Sequence, residues 1–245
     1  VRKFSLPSER VAPLFVIVAA SLWGVDGIVL RPSLFNLPVP LVVFIESSIV
    51  ALLLSPYFVK QFPLLKQLHF KDWLAFFLVA LLGGAIGTMA ITKALFYVNF
   101  VNLSVVILLQ KLQPIFAIFL AAVFLKEKFT MRFFLWAGLA VVGAYFMTFG
   151  IKLPDLSTGD KTTIAAVFSL LAALSFGAST VLSKRALRNV SFEMGTYLRF
   201  LFSAFIMLLI VFSIEDINKI SDISGNQIII FLIIEQSLHQ KGANG

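Results

Sequence analysis

Cysteine is absent from the 245 residues, which excludes a disulfide framework, a thiolate metal site and a cysteine nucleophile while leaving the compartment open. Charge is scarce: 13% of residues are charged and 60% are hydrophobic, about half the charge of an ordinary soluble domain. That is too little polar surface to face water around a chain this long. Histidine is reduced to His69 and His239, neither with ligand-like companions. No His or carboxylate pair stands at metal spacing, no glycine loop could cradle a phosphate, and no nucleophile has a base nearby. Neither a cofactor nor an enzymatic function is therefore expected.

What is present is phenylalanine, 27 of them, in apolar runs near the roughly 20 residues that a spanning helix needs. The runs are Pro13 to Leu30, Pro38 to Phe58, Trp73 to Val98, Val101 to Leu125, Phe133 to Phe149, Thr162 to Ser183 and Phe192 to Ile214, with an eighth beginning near Gln227. The sequence therefore predicts an all-α, polytopic transmembrane bundle whose main partner is the lipid bilayer. Pro13, Pro38 and Pro40 suit first helical turns, where a missing N–H costs nothing. The opening ten residues are too short and polar for a cleavable signal. A net charge of +8 does not point to nucleic acid, because the basic residues sit in short clusters between apolar runs.

Those clusters set the orientation. With the N-terminus inside, the inner segments hold Arg2, Lys3, Arg10, Lys60, Lys66, Lys71, Lys126, Lys128, Arg132, Lys184, Arg185 and Arg188, and the outer loops hold only Arg31, Lys152, Lys161 and Lys219. A shift of 153 residues also lays the chain on itself. Ala20, Trp23, Gly24, Asp26 and Arg31 fall on Ala173, Phe176, Gly177, Ser179 and Lys184, and Phe44, Glu46 and Ala51 on Tyr197, Arg199 and Ala204. Five spans separate the copies, an odd number, so the second copy enters the membrane from the opposite side. The expected organisation is a cytoplasmic segment 1–12, a five-helix unit 13–150, an outer linker 151–161, a partial second unit 162–235 and a polar tail 236–245. The repeat breaks off inside a helix, after Ile234, so the expectation is a truncated or frameshifted ten-helix protein, with a natural seven- or eight-helix design as the alternative.

Several short motifs carry a resemblance. Ser-Leu-Trp-Gly (Ser21 to Gly24) stands in the first span, and Gly83, Gly84 and Gly87 precede Lys-Ala-Leu-Phe-Tyr-Val (Lys93 to Val98) in the third. Leu-Gln-Lys-Leu-Gln-Pro (Leu109 to Pro114) lies in the fourth, and Phe-Leu-Lys-Glu-Lys-Phe-Thr (Phe124 to Thr130) follows it. In order and spacing the chain resembles the EamA-like branch of the drug/metabolite transporter superfamily. The resemblance implies ten helices in two inverted halves, termini in the cytoplasm, and a central cavity that carries small metabolites across the cell (inner) membrane. The chain departs from the pattern at Glu46, where the family commonly has Arg, and in lacking most of helices eight to ten.

Ionisable residues inside lipid cost roughly 2.5–3.5 kcal/mol each near the midplane, so they usually face a cavity or a partner. Asp26, Glu46, Lys93 and Lys111 fall in an overlapping layer of the outer half, ~7–15 Å below the surface by helical rise. In the fourth span Gln110, Lys111, Gln113 and Pro114 share one face, and Pro114 frees the carbonyl of Gln110 beside a lysine, as at the discontinuous helices of transporter sites. The plainer reading is a proline kink with Lys111 paired to Asp26 or Glu46. Trp23 and Asp26 share a face that could line a pocket or simply pack. Glu46 is a candidate proton-coupling carboxylate, or the static partner of Lys93 or Lys111. Arg199, at the position equivalent to Glu46, could hold an anionic group or snorkel to the surface. Gly83 and Gly87 form a small-xxx-small pair, and Ser175, Ser179 and Ser183 a small polar stripe, both suited to helix contact.

The expectation is thus a transporter of a small polar metabolite working by alternating access, an exporter coupled to a proton or another gradient. A homodimer is compatible with it. The rival is a non-transporting remnant of a disrupted gene or a membrane interaction module, and an intramembrane enzyme is disfavoured for want of paired catalytic groups.

Overall fold

The computed structural model describes residues 31–58, 65, 68–98, 103–125, 131–151, 161–187, 190–214, 223 and 225–231, together with positions 17, 21 and 25. Regular structure among the described residues is helical throughout. A 3-10 turn, Arg31–Leu34, leads into α1 (Val39–Phe58). Next comes α2, a continuous span from Phe70 to Tyr97 built of an α segment (Phe70–Val79), a π segment (Ala80–Gly87) and a second α segment (Thr88–Tyr97). The remaining helices are α3 (Leu103–Gln110), α4 (Gln113–Leu125), α5 (Met131–Phe149), α6 (Lys161–Ala186) and α7 (Phe192–Ser213). Residues 225–231 begin a further helix, where the eighth run was expected.

Five stretches of the described residues are long and apolar enough to cross a membrane: Val39–Pro56, Phe70–Tyr97, Val105–Phe124, Lys161–Ala186 and Glu193–Ser213. They match the second, third, fourth, sixth and seventh predicted runs. The fifth run forms α5, whose Leu135, Trp136 and Leu139 are exposed as a lipid-facing side would be. The first run lies outside the described residues apart from Ile17, Ser21 and Val25.

Local chemistry explains the boundaries. Pro38 and Pro40 flank the start of α1 as expected. Near its end Pro56 cannot donate to the carbonyl of Leu52, and the Ser55 hydroxyl donates to that carbonyl instead at 2.8 Å, which matters in lipid, where no water can substitute. Asp72 Oδ2 accepts from the His69 amide at 3.1 Å at the start of α2, and Ser191 Oγ accepts from the Met194 amide at 3.3 Å at the start of α7.

The centre of the bundle is α6, which packs on α2, α3 and α4. Its buried face is made of small residues, including Ala165, Ala166, Ser169, Ala172, Ala173 and Gly177, so backbones approach closely. A Cβ on Gly177 would lie 2.9 Å from the Ala117 nitrogen of α4. The other main contact joins α1 and α7. They run antiparallel: Phe58 at the end of α1 stacks on Tyr197 near the start of α7 at 5.1 Å, while Val43 packs with Ile206 and Met207.

Two apolar clusters share a plan. One surrounds Phe58 and Phe76 and recruits Leu187, Val190, Leu198 and Phe202. The other surrounds Val42 and Phe231 and uses Leu34, Leu37, Ile45 and Ile49, each 153 residues before its counterpart in the first.

Candidate functional site

Three polar centres lie between these helices. The first closes the outer end of α1 and α2. The Arg31 guanidinium reaches inward from its 3-10 turn, with Nη2 3.4 Å from Glu46 Oε2 and Nη1 donating to Thr92 Oγ1 at 2.8 Å. Both charged side chains are about nine-tenths shielded, at 12% and 7% exposure, and Thr92 is fully buried. One arginine therefore ties its own turn to α1 and to α2. Sequence reasoning counted Arg31 among the outer loop charges and paired Glu46 with Lys93 or Lys111. The signal it could have used is that Arg31 and Glu46 flank one short turn, so that a long side chain folded back along α1 reaches about two helical turns down.

The second centre is the mouth around Lys93. Its ammonium makes no hydrogen bond or ion pair among the described residues and lies over aromatic rings, 5.1 Å from the Phe168 centroid and 6.0 Å from that of Tyr97. Two cavities meet at Lys93 and Val39, of about 350 Å³ and 450 Å³. Phe35, Phe96, Tyr97 and Lys161 line the first; Met89, Phe168 and Leu171 line the second. The rings are held by one another: Tyr97 stacks on Phe168 at 5.8 Å and 13°, and Phe35 meets Phe96 edge-on at 5.3 Å. Flat aromatic walls with two ammonium groups suit a planar heteroaromatic molecule bearing hydrogen-bond acceptors.

The third centre is the π segment of α2. A wider turn displaces carbonyls from their usual donors. Ser179 Oγ of α6 donates to Val79 O at 3.1 Å, Ser203 Oγ of α7 to Ala80 O at 3.5 Å, and Thr88 Oγ1 to Gly83 O at 3.0 Å. Glycine makes this approach possible: a Cβ on Gly83 or Gly84 would run into the hydroxyls of Ser179 and Ser203, and one on Gly87 would stand 2.9 Å from the Phe176 ring. The expected small-residue contact is thus present, with Gly84 and Ser203 added to it. Arg199 joins the same place, its Nη2 3.3 Å from where a Gly83 Cβ would be.

Of the expected layer of four charges, Glu46 meets Arg31 and Lys93 stands at the mouth. Trp23 and Asp26 lie outside the described residues. The fourth span does break, as anticipated from Pro114: α3 ends at Gln110, the Lys111 amide is shared between the Ile107 and Leu108 carbonyls, the Leu112 amide turns to that of Leu109, and α4 starts at Gln113. Gln113 Nε2 donates to Thr180 Oγ1 of α6 at 3.4 Å, whereas Lys111 and Pro114 are exposed. The Gln110 side-chain oxygen is buried and accepts no hydrogen bond among the described residues. Those residues contain no cluster of three or more metal-ligating side chains.

The sequence pattern of the EamA-like transporter family matches residues 10–149 and 163–237. The riboflavin transporter ImpX of Fusobacterium nucleatum is 49% identical over 199 residues, covering 81% of this chain and 67% of the relative. An uncharacterized transporter of Synechocystis, sll1164, is 26% identical over 166 residues, 67% of this chain and 47% of that one. The chain thus spans about two thirds and about half the length of these curated relatives. No solved structure matches.

Proposed function

Because the chain belongs to the EamA-like transporter family, as a multi-pass membrane protein, we propose that it carries a planar heteroaromatic metabolite of the riboflavin type across the membrane. One observation carries the reading: 49% identity over 199 residues to a riboflavin transporter. The mouth at Lys93 supports it, since a flavin ring could stack on Tyr97 or Phe168 while its carbonyl oxygens accept from an ammonium. The small polar substrate expected from the sequence becomes, on this reading, a polar molecule with a large flat ring.

The finer terms belong to the same proposal. Residues 13–150 and 162–235 are read as two copies of one unit inserted in opposite senses; the antiparallel α1 and α7 and the two clusters built on positions 153 apart support this. Outward export, coupling to protons, a place in the cell membrane and a cytoplasmic N-terminus complete it. The Arg31–Glu46 ion pair restricts one part: proton carriage by Glu46 requires that contact to open.

Proteoliposomes containing the chain and loaded with riboflavin test the activity, with flavin fluorescence outside the vesicles recorded with and without an imposed pH gradient. Gradient-dependent release supports the proposal, and release no faster than from empty vesicles rejects it. Orientation is tested separately, since the chain has no cysteine of its own. Asn36→Cys and Ile151→Cys are expected to label from outside, Arg185→Cys and Lys71→Cys only from inside.

A further inference from the structure

Arg199 stands seven residues into α7, so its backbone lies ~10 Å inside the helix end and its side chain reaches toward the middle of the bundle. Its Nε is buried and has no hydrogen-bond partner among the described residues. Those residues supply no carboxylate to it either; the contacts they record are with the π segment at Gly83 and with the Phe200 ring, 5.8 Å from the guanidinium carbon. An arginine turned inward at this depth, rather than out toward the lipid surface, costs several kcal/mol unless something accepts from it. The Ser179 hydroxyl beside the same Gly83 donates to Val79 O and is not recorded as accepting from the guanidinium. Of the five N–H donors on a guanidinium, the described residues take up none.

We infer that Arg199, beside the π turn of α2, is a second polar binding point in the bundle, which receives an acceptor-rich group of the permeating molecule before it leaves through the mouth at Lys93. The inference rests on the transport reading above. Two groups fit the planar donor fork: the neighbouring N1 and C2-carbonyl acceptors of a flavin-like ring, or a phosphate carried on it. The site has the features of a transporter midpoint: irregular backbone in a spanning helix, a cation with no carboxylate partner among the described residues, and helices of both matched stretches meeting at one place. Glycine at 83 keeps the space beside the guanidinium open.

The chain in a maltoside detergent, which carries no phosphate, is titrated with riboflavin and with riboflavin 5′-phosphate by quenching of flavin fluorescence, and flux is measured in liposomes. Losing a hydrogen bond to a charged group predicts that Arg199→Gln lowers flux about tenfold or more, while affinity at the mouth stays within about threefold of wild type. Arg199→Lys should recover only part of the flux, because a point charge lacks the fork. The probe whose affinity or flux depends more strongly on Arg199 identifies the group, ring acceptors or phosphate. Wild-type flux in Arg199→Gln overturns the inference. So does a parallel loss of flux, mouth binding and thermal stability, which marks a purely structural role. Should the wild-type chain neither bind nor move either flavin, the transport reading fails by itself. Arg199 is then tested with inorganic phosphate: a rise in the thermal midpoint of the wild type that Arg199→Gln lacks supports the site, and no rise overturns it.

Discussion

Glu46 and Arg199 stand 153 residues apart, at matching positions of the two proposed copies, carry opposite charges, and are treated in opposite ways. Glu46 is held by Arg31, which also binds Thr92, so the charge in α1 is locked into a joint of three segments. Arg199 lies beside the open space at Gly83 and over the Phe200 ring. A cation that is already neutralised holds helices together, whereas one without an acid partner among the described residues is available to a ligand. The sharpest way to break the comparison is to remove each charge in turn. Glu46→Leu leaves Arg31 buried without its counter-charge and should destabilise the chain by roughly 3–5 kcal/mol, whereas the pair Arg31→Met with Glu46→Leu should restore most of that. Arg199→Leu should leave stability near wild type or raise it. Unfolding of all four proteins in detergent, followed by tryptophan fluorescence, checks this. Equal losses for Glu46→Leu and Arg199→Leu would erase the distinction.

A second contrast separates the glycines of α2 from those of α5. Gly84 faces Ser203 with no room for a Cβ, while nothing lies within 4 Å of a Cβ on Gly138 or Gly143. Gly84→Ala should therefore cost about 1–3 kcal/mol through overpacking, and Gly143→Ala should be neutral or slightly stabilising, because glycine is a weak helix former. Removing a clasp rather than filling its space should do less. Ser179→Ala frees the carbonyl of Val79 and should cost about 0.5–1.5 kcal/mol, readable as faster amide exchange at the π segment than elsewhere in α2.

How far the sequence could be read follows from how local each signal is. The break before α4 was legible because Pro114 acts within its own turn, and the close approach at Gly83 and Gly87 because small residues at that spacing leave few other roles. The Arg31–Glu46 contact was not, since it depends on how the turn between them folds back, and hydropathy gives such an arginine to the loop. The π segment was equally hidden: Ala80 to Gly87 reads as ordinary apolar helix, and its widening is stabilised by Ser179 and Ser203, about 100 and 123 residues away in sequence from the carbonyls they bind. Gln113 was legible as part of a polar face, but its contact with Thr180 of α6 was not, since it depends on which helix lies alongside. Periodicity says which residues share a face. Which neighbour covers that face is decided by packing.

The smallest expected effect tests the mouth against both buried centres. Lys93 is exposed and its recorded contacts are with rings, so Lys93→Gln has little native structure to lose and should leave the unfolding midpoint unchanged. What it removes is an ammonium at the junction of two cavities. An exposed cation–π contact is weak, and the same holds for an ammonium donating to a flavin carbonyl at an open mouth. Riboflavin affinity should therefore fall only about two- to fivefold, and Lys93→Arg should keep it. Phe168→Leu, which removes the ring beneath the ammonium and the stack with Tyr97, should lower affinity more than Lys93→Gln does, because stacking area rather than charge dominates such a pocket. If the lysine variant proves the weaker binder, the mouth selects by charge, and the two ammonium groups of Lys93 and Lys161 become its main determinant.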